Sequence, residues 1–168
     1  MTEGEIVVTS DGTAFSCTAQ AIKIKRGQRL IYNVGCASMG YGLPAAIGAC
    51  IANKKKRVVC LEGDGSIQLN IQELQTVVHY KLPAKIFVFN NEGYLSIRIT
   101  QENFFKSHYV GSNPQSGVSF PDMGKISKAY GIPFLRINNQ TTLEEKLRHV
   151  LDAEGPIICE IMMDPGQP

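Results

Sequence analysis

Short β-branched runs alternate with longer amphipathic stretches along the 168-residue chain. A strand covered on both faces reads as a continuous apolar run and a covering helix as a 3.6-residue stripe, so this alternation predicts βα units feeding a parallel sheet. Strands are predicted at 6–9, 29–32, 58–61, 85–90, 133–137 and 157–162, and helices at 13–23, 43–53, 66–80, 94–103, 122–130 and 142–153. The expected fold is α/β: a doubly wound, mainly parallel six-stranded sheet with helices on both faces. Asp122 after Pro121 predicts an N-cap and Gly131 a stop for the helix at 122–130. Thr142 with Glu145 three places on predicts a capping box above a stripe of Leu143, Leu147 and Leu151. The longest irregular segment, 105–120, is rich in Gly, Ser, Asn and Pro, and a loop of that length is either mobile or functional.

Length and composition narrow this to a single domain over 1–168, with 43% hydrophobic residues to fill one core. A net charge of +2, from 17 basic and 15 acidic residues spread along the chain, gives no field that would draw nucleic acid or an anionic membrane. The one basic run, KKKR at 54–57, is expected at the C-terminal end of the helix at 43–53, where lysines suit the negative end of the dipole. Of five cysteines, Cys50, Cys60 and Cys159 lie in apolar patterns and read as small buried hydrophobes in a reducing compartment. No apolar run approaches membrane-spanning length and MTEGEIVV lacks the regions of a signal peptide, so a cytoplasmic location is expected.

The chemistry concentrates in GDGSIQLNIQELQTVVHYKLPAKIFVFNN, residues 63–91. One strand ends at Asp64, a helix returns to the other edge, and the next strand climbs back to Asn90 and Asn91. A helix of about 14 residues rises roughly 21 Å, enough to run back along a strand of roughly 18 Å, so the carboxylate and the amides finish at one edge. If the two strands are neighbours their ends lie about 5 Å apart, and two oxygen ligands reach one small cation. A carboxylate with a side-chain amide oxygen is a hard-oxygen set suited to Mg²⁺, which takes its remaining ligands from water and phosphates. Gly63 and Gly65 permit a tight turn, and Ser66 opens a helix whose free N–H groups favour an anion. The plainer alternative is an Asp-Gly turn capping a helix and two turn asparagines after a strand.

GDGS, 24 residues between GDG and NN, and the preceding CASMGYGLPAAIGA at 36–49 resemble the thiamine diphosphate-binding domain of acetolactate synthases and related 2-oxo acid decarboxylases. The resemblance implies thiamine diphosphate and Mg²⁺ as cofactors, the metal held by the Asp64 carboxylate, the Asn91 side-chain oxygen and the Gly93 carbonyl. It implies diphosphate contacts from Gly65 and Ser66, and from Gly12, Thr13 and Ala14 after the first strand. Relatives often offer Gln and His where this chain has Thr13 and Ala14. Met39, read on its own as a core methionine, matches the large apolar residue that bends the cofactor for catalysis, and the carbonyl of Ala37, where relatives commonly have Gly, would accept from the 4′-amino group. Tyr94, Leu95, Ser96 and Gln101 become pocket candidates, with ordinary helix packing as the equal alternative. His108 is expected to be a loop histidine, and Glu73 a polar helix position.

The activity implied is decarboxylation of a 2-oxo acid and transfer of the two-carbon enamine to an acceptor. The family's glutamate facing the pyrimidine ring comes from a pyrimidine-side domain and has no match here. The chain is thus expected to be one half of a site, an excised domain of a three-domain enzyme or else a small subunit of a two-chain decarboxylase. A homo-oligomer is implied, the helix of YGLPAAIGAC being expected to expose small residues. Two other classes are a non-catalytic cofactor-binding module and a Rossmann-type nucleotide binder. The latter predicts G-x-G-x-x-G after the first strand, where SDGTAFS has one glycine.

Overall fold

The computed structural model describes residues 1–166. Six strands, β1 (Ile6–Thr9), β2 (Arg29–Ile31), β3 (Val58–Gly63), β4 (Ala84–Asn90), β5 (Phe134–Ile137) and β6 (Ile157–Met162), form one sheet in the order β2-β1-β3-β4-β6-β5. Every pairing is parallel, so the expectation of a mainly parallel sheet is met in full. Alternate residues of the strands enter two separate cores, as the period of two requires. Val8, Val58, Cys60, Ile86 and Val88 pack on one face with Leu43, Ala46, Leu74, Val77 and Met123, while Val7, Val59, Phe87 and Cys159 pack on the other with Val150.

Those helical residues belong to α2 (Gly42–Ala52), α3 (Leu74–His79), α5 (Met123–Tyr130) and α6 (Leu143–Asp152); α1 (Gly12–Ala21) and α4 (Leu95–Phe104) complete the set. Asp122 caps α5 as expected, its side chain accepting from the Lys125 N–H at 2.8 Å, and Gly131 ends the helix at φ 68°. The capping box at Thr142 does not form: with φ −106° and ψ 8° its side chain makes no cap bond, and only the dipole-favouring Glu144 and Glu145 support the start of α6.

The helix predicted at 66–80 is not continuous. A 3₁₀ helix spans Ile67–Glu73, Asn70 departs to φ −137° and ψ 29°, and only Leu74–His79 is α-helical. The cause is a side-chain bond: Asn70 Nδ2 donates to the Gly40 carbonyl at 2.8 Å, drawing the helix onto the loop before α2. Helix α2 also differs from expectation, since Gly42, Leu43, Ala46, Ile47, Ala49 and Cys50 are buried in this chain's own core. Its exposed face is limited to Pro44, Gly48, Ile51 and Ala52. The basic run follows α2 as expected, and Arg57 leaves it to pair with buried Glu5 at 2.5 Å. Cys50, Cys60 and Cys159 are buried thiols, and burial pushes Cys50 up to about 11.

Candidate functional site

The strand order reverses direction between β1 and β3: the chain leaves β1 for β2 on one side and leaves β3 for β4 on the other. Loops diverging from the carboxyl ends of two such neighbours leave a crevice that covering helices do not fill. Here it is an open cleft of about 480 Å³ of empty space, whose lining includes Gly12, Thr13, Met39, Asp64, Asn91 and Tyr94.

Asp64 follows the last residue of β3, and its N–H still donates to the Phe89 carbonyl of β4 at 3.0 Å. That bond confirms β3 and β4 as neighbours to their last residues and brings Asp64 to the same edge as Asn91. Asp64 and Asn91 are each 4% exposed. The Asp64 carboxylate accepts from the N–H of Gly65 at 2.8 Å through Oδ1 and from Gly93 at 3.2 Å through Oδ2. Burial nevertheless pushes its acid up to about 6, the loss of water outweighing those backbone N–H groups. Asn91 donates weakly to Thr13 Oγ1 at 3.3 Å, and its Oδ1 is buried with no hydrogen-bond partner. An orphaned oxygen of this kind costs roughly 1–3 kcal/mol.

Behind the cleft lies a carboxyl group that no motif pointed to. Glu62 is wholly buried, its Oε1 accepts from the Leu43 N–H at 2.8 Å in the first turn of α2, and Oε2 has no partner. Burial pushes it up to about 7. Gly42 is required there, because a Cβ would run into Glu62 Oε1. Beside it, Ser10 Oγ and Ser66 Oγ lie 2.6 Å apart and the Gly40 N–H donates to Ser66 Oγ at 2.9 Å. The chain just after Met39 is therefore tied twice, through Ser66 and Asn70 at Gly40 and through Glu62 at Leu43.

Gly12, Thr13 and Ala14 form the first turn of α1 rather than a free turn; Gly12 and Thr13 line the cleft and the Ala14 side chain is fully buried. Gly65 and Ser66 line it too, although the N–H of Gly65 is engaged by Asp64 and the hydroxyl of Ser66 by its neighbours. Met39 lines the cleft; Ala37, exposed at φ 46°, stands just before it. Tyr94, Leu95 and Ser96 line the cleft, whereas Gln101 braces the following loop by accepting from Ser112 Oγ at 2.7 Å and donating to the Val110 carbonyl at 3.0 Å. His108 is an exposed loop residue, and Glu73 accepts from Thr76 Oγ1 at 2.8 Å as an ordinary helix position. Sequence reasoning missed Asp11, Phe89 and Ile97 in the lining; the first of these had a signal, since Asp-Gly after a strand marks the same kind of turn as Asp64-Gly65.

No helix among the described residues is long and apolar enough to cross a membrane. The chain is 37% identical over 145 residues to the acetolactate synthase large subunit of Cyanidium caldarium, covering 86% of this chain and 24% of that protein. It is 38% identical over 150 residues to the acetolactate synthase large subunit of Porphyra purpurea, with 89% and 25% covered. It is 32% identical over 167 residues to the chloroplastic acetolactate synthase of Arabidopsis thaliana, with 96% and 25% covered. The chain thus spans about a quarter of the length of the curated relatives it matches. Residues 11–161 match the family described as thiamine pyrophosphate enzyme, C-terminal TPP binding domain, and with a crevice of this topology at the ends of β1 and β3 the chain belongs to that family.

Proposed function

We propose that the cleft at the ends of β1, β3 and β4 anchors thiamine diphosphate through Mg²⁺, as the diphosphate-side half of an acetolactate synthase-like enzyme acting on a 2-oxo acid. One observation carries this reading: the buried, unpartnered Oδ1 of Asn91 shares a cleft with the buried carboxylate of Asp64. A hard-oxygen pair held out of water, one member orphaned and the other raised toward neutrality, fits a small divalent cation that would satisfy both.

On this reading Asp64, Asn91 and the Gly93 carbonyl hold the cation. The first turn of α1 at Gly12, Thr13 and Ala14 and the turn at Gly65 and Ser66 receive the diphosphate, since the first N–H groups of a helix lack intrahelical acceptors. Gly65 contributes chiefly by having no side chain, because its N–H is engaged by Asp64. Met39 supplies apolar surface against the rings, and Ala37 offers its carbonyl to the aminopyrimidine. Tyr94 and Leu95 close the cleft on the α4 side and exclude water. When bound, the cofactor supplies an electron sink for loss of carbon dioxide from the 2-oxo acid, and transfer of the remaining fragment to an acceptor completes a lyase or transferase reaction.

The residue that activates the pyrimidine is supplied by a pyrimidine-side domain, in the same chain or another subunit, and pairing of such halves makes a homo-oligomer. Relatives of roughly four times this length support a further domain. The free, buried cysteines support a reducing, cytoplasmic setting. Calorimetric titration with thiamine diphosphate, with and without Mg²⁺ and beside Asp64→Ala, tests the site. Binding that needs both Mg²⁺ and Asp64 is expected; tight binding without Mg²⁺ would contradict it.

A further inference from the structure

Arg98 is a cation in an unfavourable place. It lies in the first turn of α4, where the helix dipole is positive, and it is only 6% exposed. A buried guanidinium is costly unless its donors are used. Its partners are carbonyls from three separate segments. One terminal nitrogen donates to the Ser112 carbonyl at 3.3 Å, and the other to the carbonyls of Asn91 at 3.1 Å and Pro165 at 3.0 Å. These lie in the β4–α4 turn, the 105–120 loop and the chain after β6.

The bonds fix the planes of two peptides, because the C=O and N–H of a trans peptide point to opposite sides. With the Asn91 carbonyl turned to Arg98, the Glu92 N–H faces the other way, where it donates to Asn90 Oδ1 at 3.1 Å and closes the turn around Asn91. The Ser112 carbonyl that Arg98 holds also accepts from the Tyr94 N–H at 2.9 Å, which turns the Gly93 carbonyl away from Ser112. The fit is close: a Cβ on Gly93, at φ 143°, would run into the Ser112 carbonyl oxygen.

We propose that Arg98 is the positioning residue of the cation site, a clamp that sets the Asn91 and Gly93 ligands by tying the Asn91 carbonyl to those of Ser112 and Pro165, with the Ser112 carbonyl in turn holding the Tyr94 N–H after Gly93. The proposal rests on the reading of Asn91 and Gly93 as ligands and adds what holds them. Arg98 itself touches neither cation nor cofactor. A lysine would keep the charge without the planar fork that spans three carbonyls.

The test is calorimetric titration of thiamine diphosphate at a series of Mg²⁺ concentrations on the 168-residue chain, with Asp64→Ala as reference. Arg98→Met is expected to raise the Mg²⁺ needed for half-maximal cofactor binding by about tenfold or more, as loss of an outer support of a metal ligand does. Arg98→Lys and removal of residues 165–168 are expected to raise it by smaller factors. A merely structural role would lower the melting temperature and leave the Mg²⁺ requirement of the folded protein unchanged, which would overturn the proposal. If Arg98→Met does not fold, the other two variants decide it: an unchanged Mg²⁺ requirement in both refutes the clamp. A wild-type protein that binds without needing Mg²⁺ or Asp64 would bring down the cation-site reading, and the clamp with it. Binding that needs both, combined with an unchanged Arg98→Met, would remove the clamp alone.

Discussion

The backbone N–H of Gly93 donates to Oδ2 of Asp64 at 3.2 Å, so the turn after β4 is already docked on the carboxylate at the end of β3. The cost of this arrangement falls on Asp64, whose acid burial pushes up to about 6. A cation bound to that carboxylate favours its charged form and must pull the titration down again. Carbon-detected NMR of the Asp64 carboxyl is expected to show a midpoint near 6 in the free protein and a lower one with thiamine diphosphate and Mg²⁺ together. A midpoint that does not move on saturation would remove Asp64 from the ligand set.

Glu62 makes a separate prediction about stability. Its folded-state value of about 7 lies above the ordinary 4.5, so the folded protein binds the proton more tightly than the unfolded chain. Stability is then fullest below about 4.5, falls as pH rises toward 7, and stays low above it. The loss corresponds to roughly 3 kcal/mol at about 1.4 kcal/mol per pH unit. Glu62→Gln keeps an oxygen for the Leu43 N–H and has no charge to lose, so urea denaturation should find it more stable than wild type at pH 8, by a margin that shrinks toward pH 5. Parallel stability profiles for the two proteins across that range would refute the burial account.

The four inner strands were legible because they are buried on both faces and read as apolar runs; β4 and β6 match their predicted spans to within a residue. The pairing of Asp64 with Asn91 followed from the same regularity, since a β-helix-β unit returns the chain to one edge. Asn70 shows where such reading stops. Nothing local distinguishes it from a tolerated helix asparagine, and the kink depends on a partner, Gly40, that lies 30 residues away in the chain. Glu62 and Arg98 escaped for the same reason: their roles are set by the Leu43 N–H and by three distant carbonyls, and no spacing rule encodes those. Thr142 is the converse, a local signal that the final geometry of the 139–142 turn does not use.

Ala37 sits at φ 46°, in the left-handed region that L-residues with a side chain avoid, and its N–H is fixed to the Asn33 carbonyl at 2.9 Å. That conformation costs about 1–2 kcal/mol for alanine and little for glycine, whose larger freedom in the unfolded chain returns part of the gain. Ala37→Gly is therefore expected to stabilise the protein by roughly 0.5–1 kcal/mol in chemical denaturation. Destabilisation by the substitution would mean that the loop before Met39 is not held in this conformation in solution.

Gly65 presents the opposite case, a glycine retained for space. Its φ lies outside the left-handed region, so an alanine there is opposed only by contact. A Cβ would collide with the Tyr94 ring at Cε1 and would stand 3.0 Å from Phe120 Cζ, and the two rings are packed edge to face with centroids 5.7 Å apart. Neither ring can yield without the other, so Gly65→Ala is expected to cost about 1–3 kcal/mol by overpacking. If the collision is the cause, Tyr94→Ala should absorb most of it, leaving Gly65→Ala nearly neutral in that background and giving a coupling energy of about 1 kcal/mol or more in a double-mutant cycle. Additive costs would place the penalty in the backbone at Gly65 instead, and the Tyr94 ring would not be what keeps a side chain out of that position.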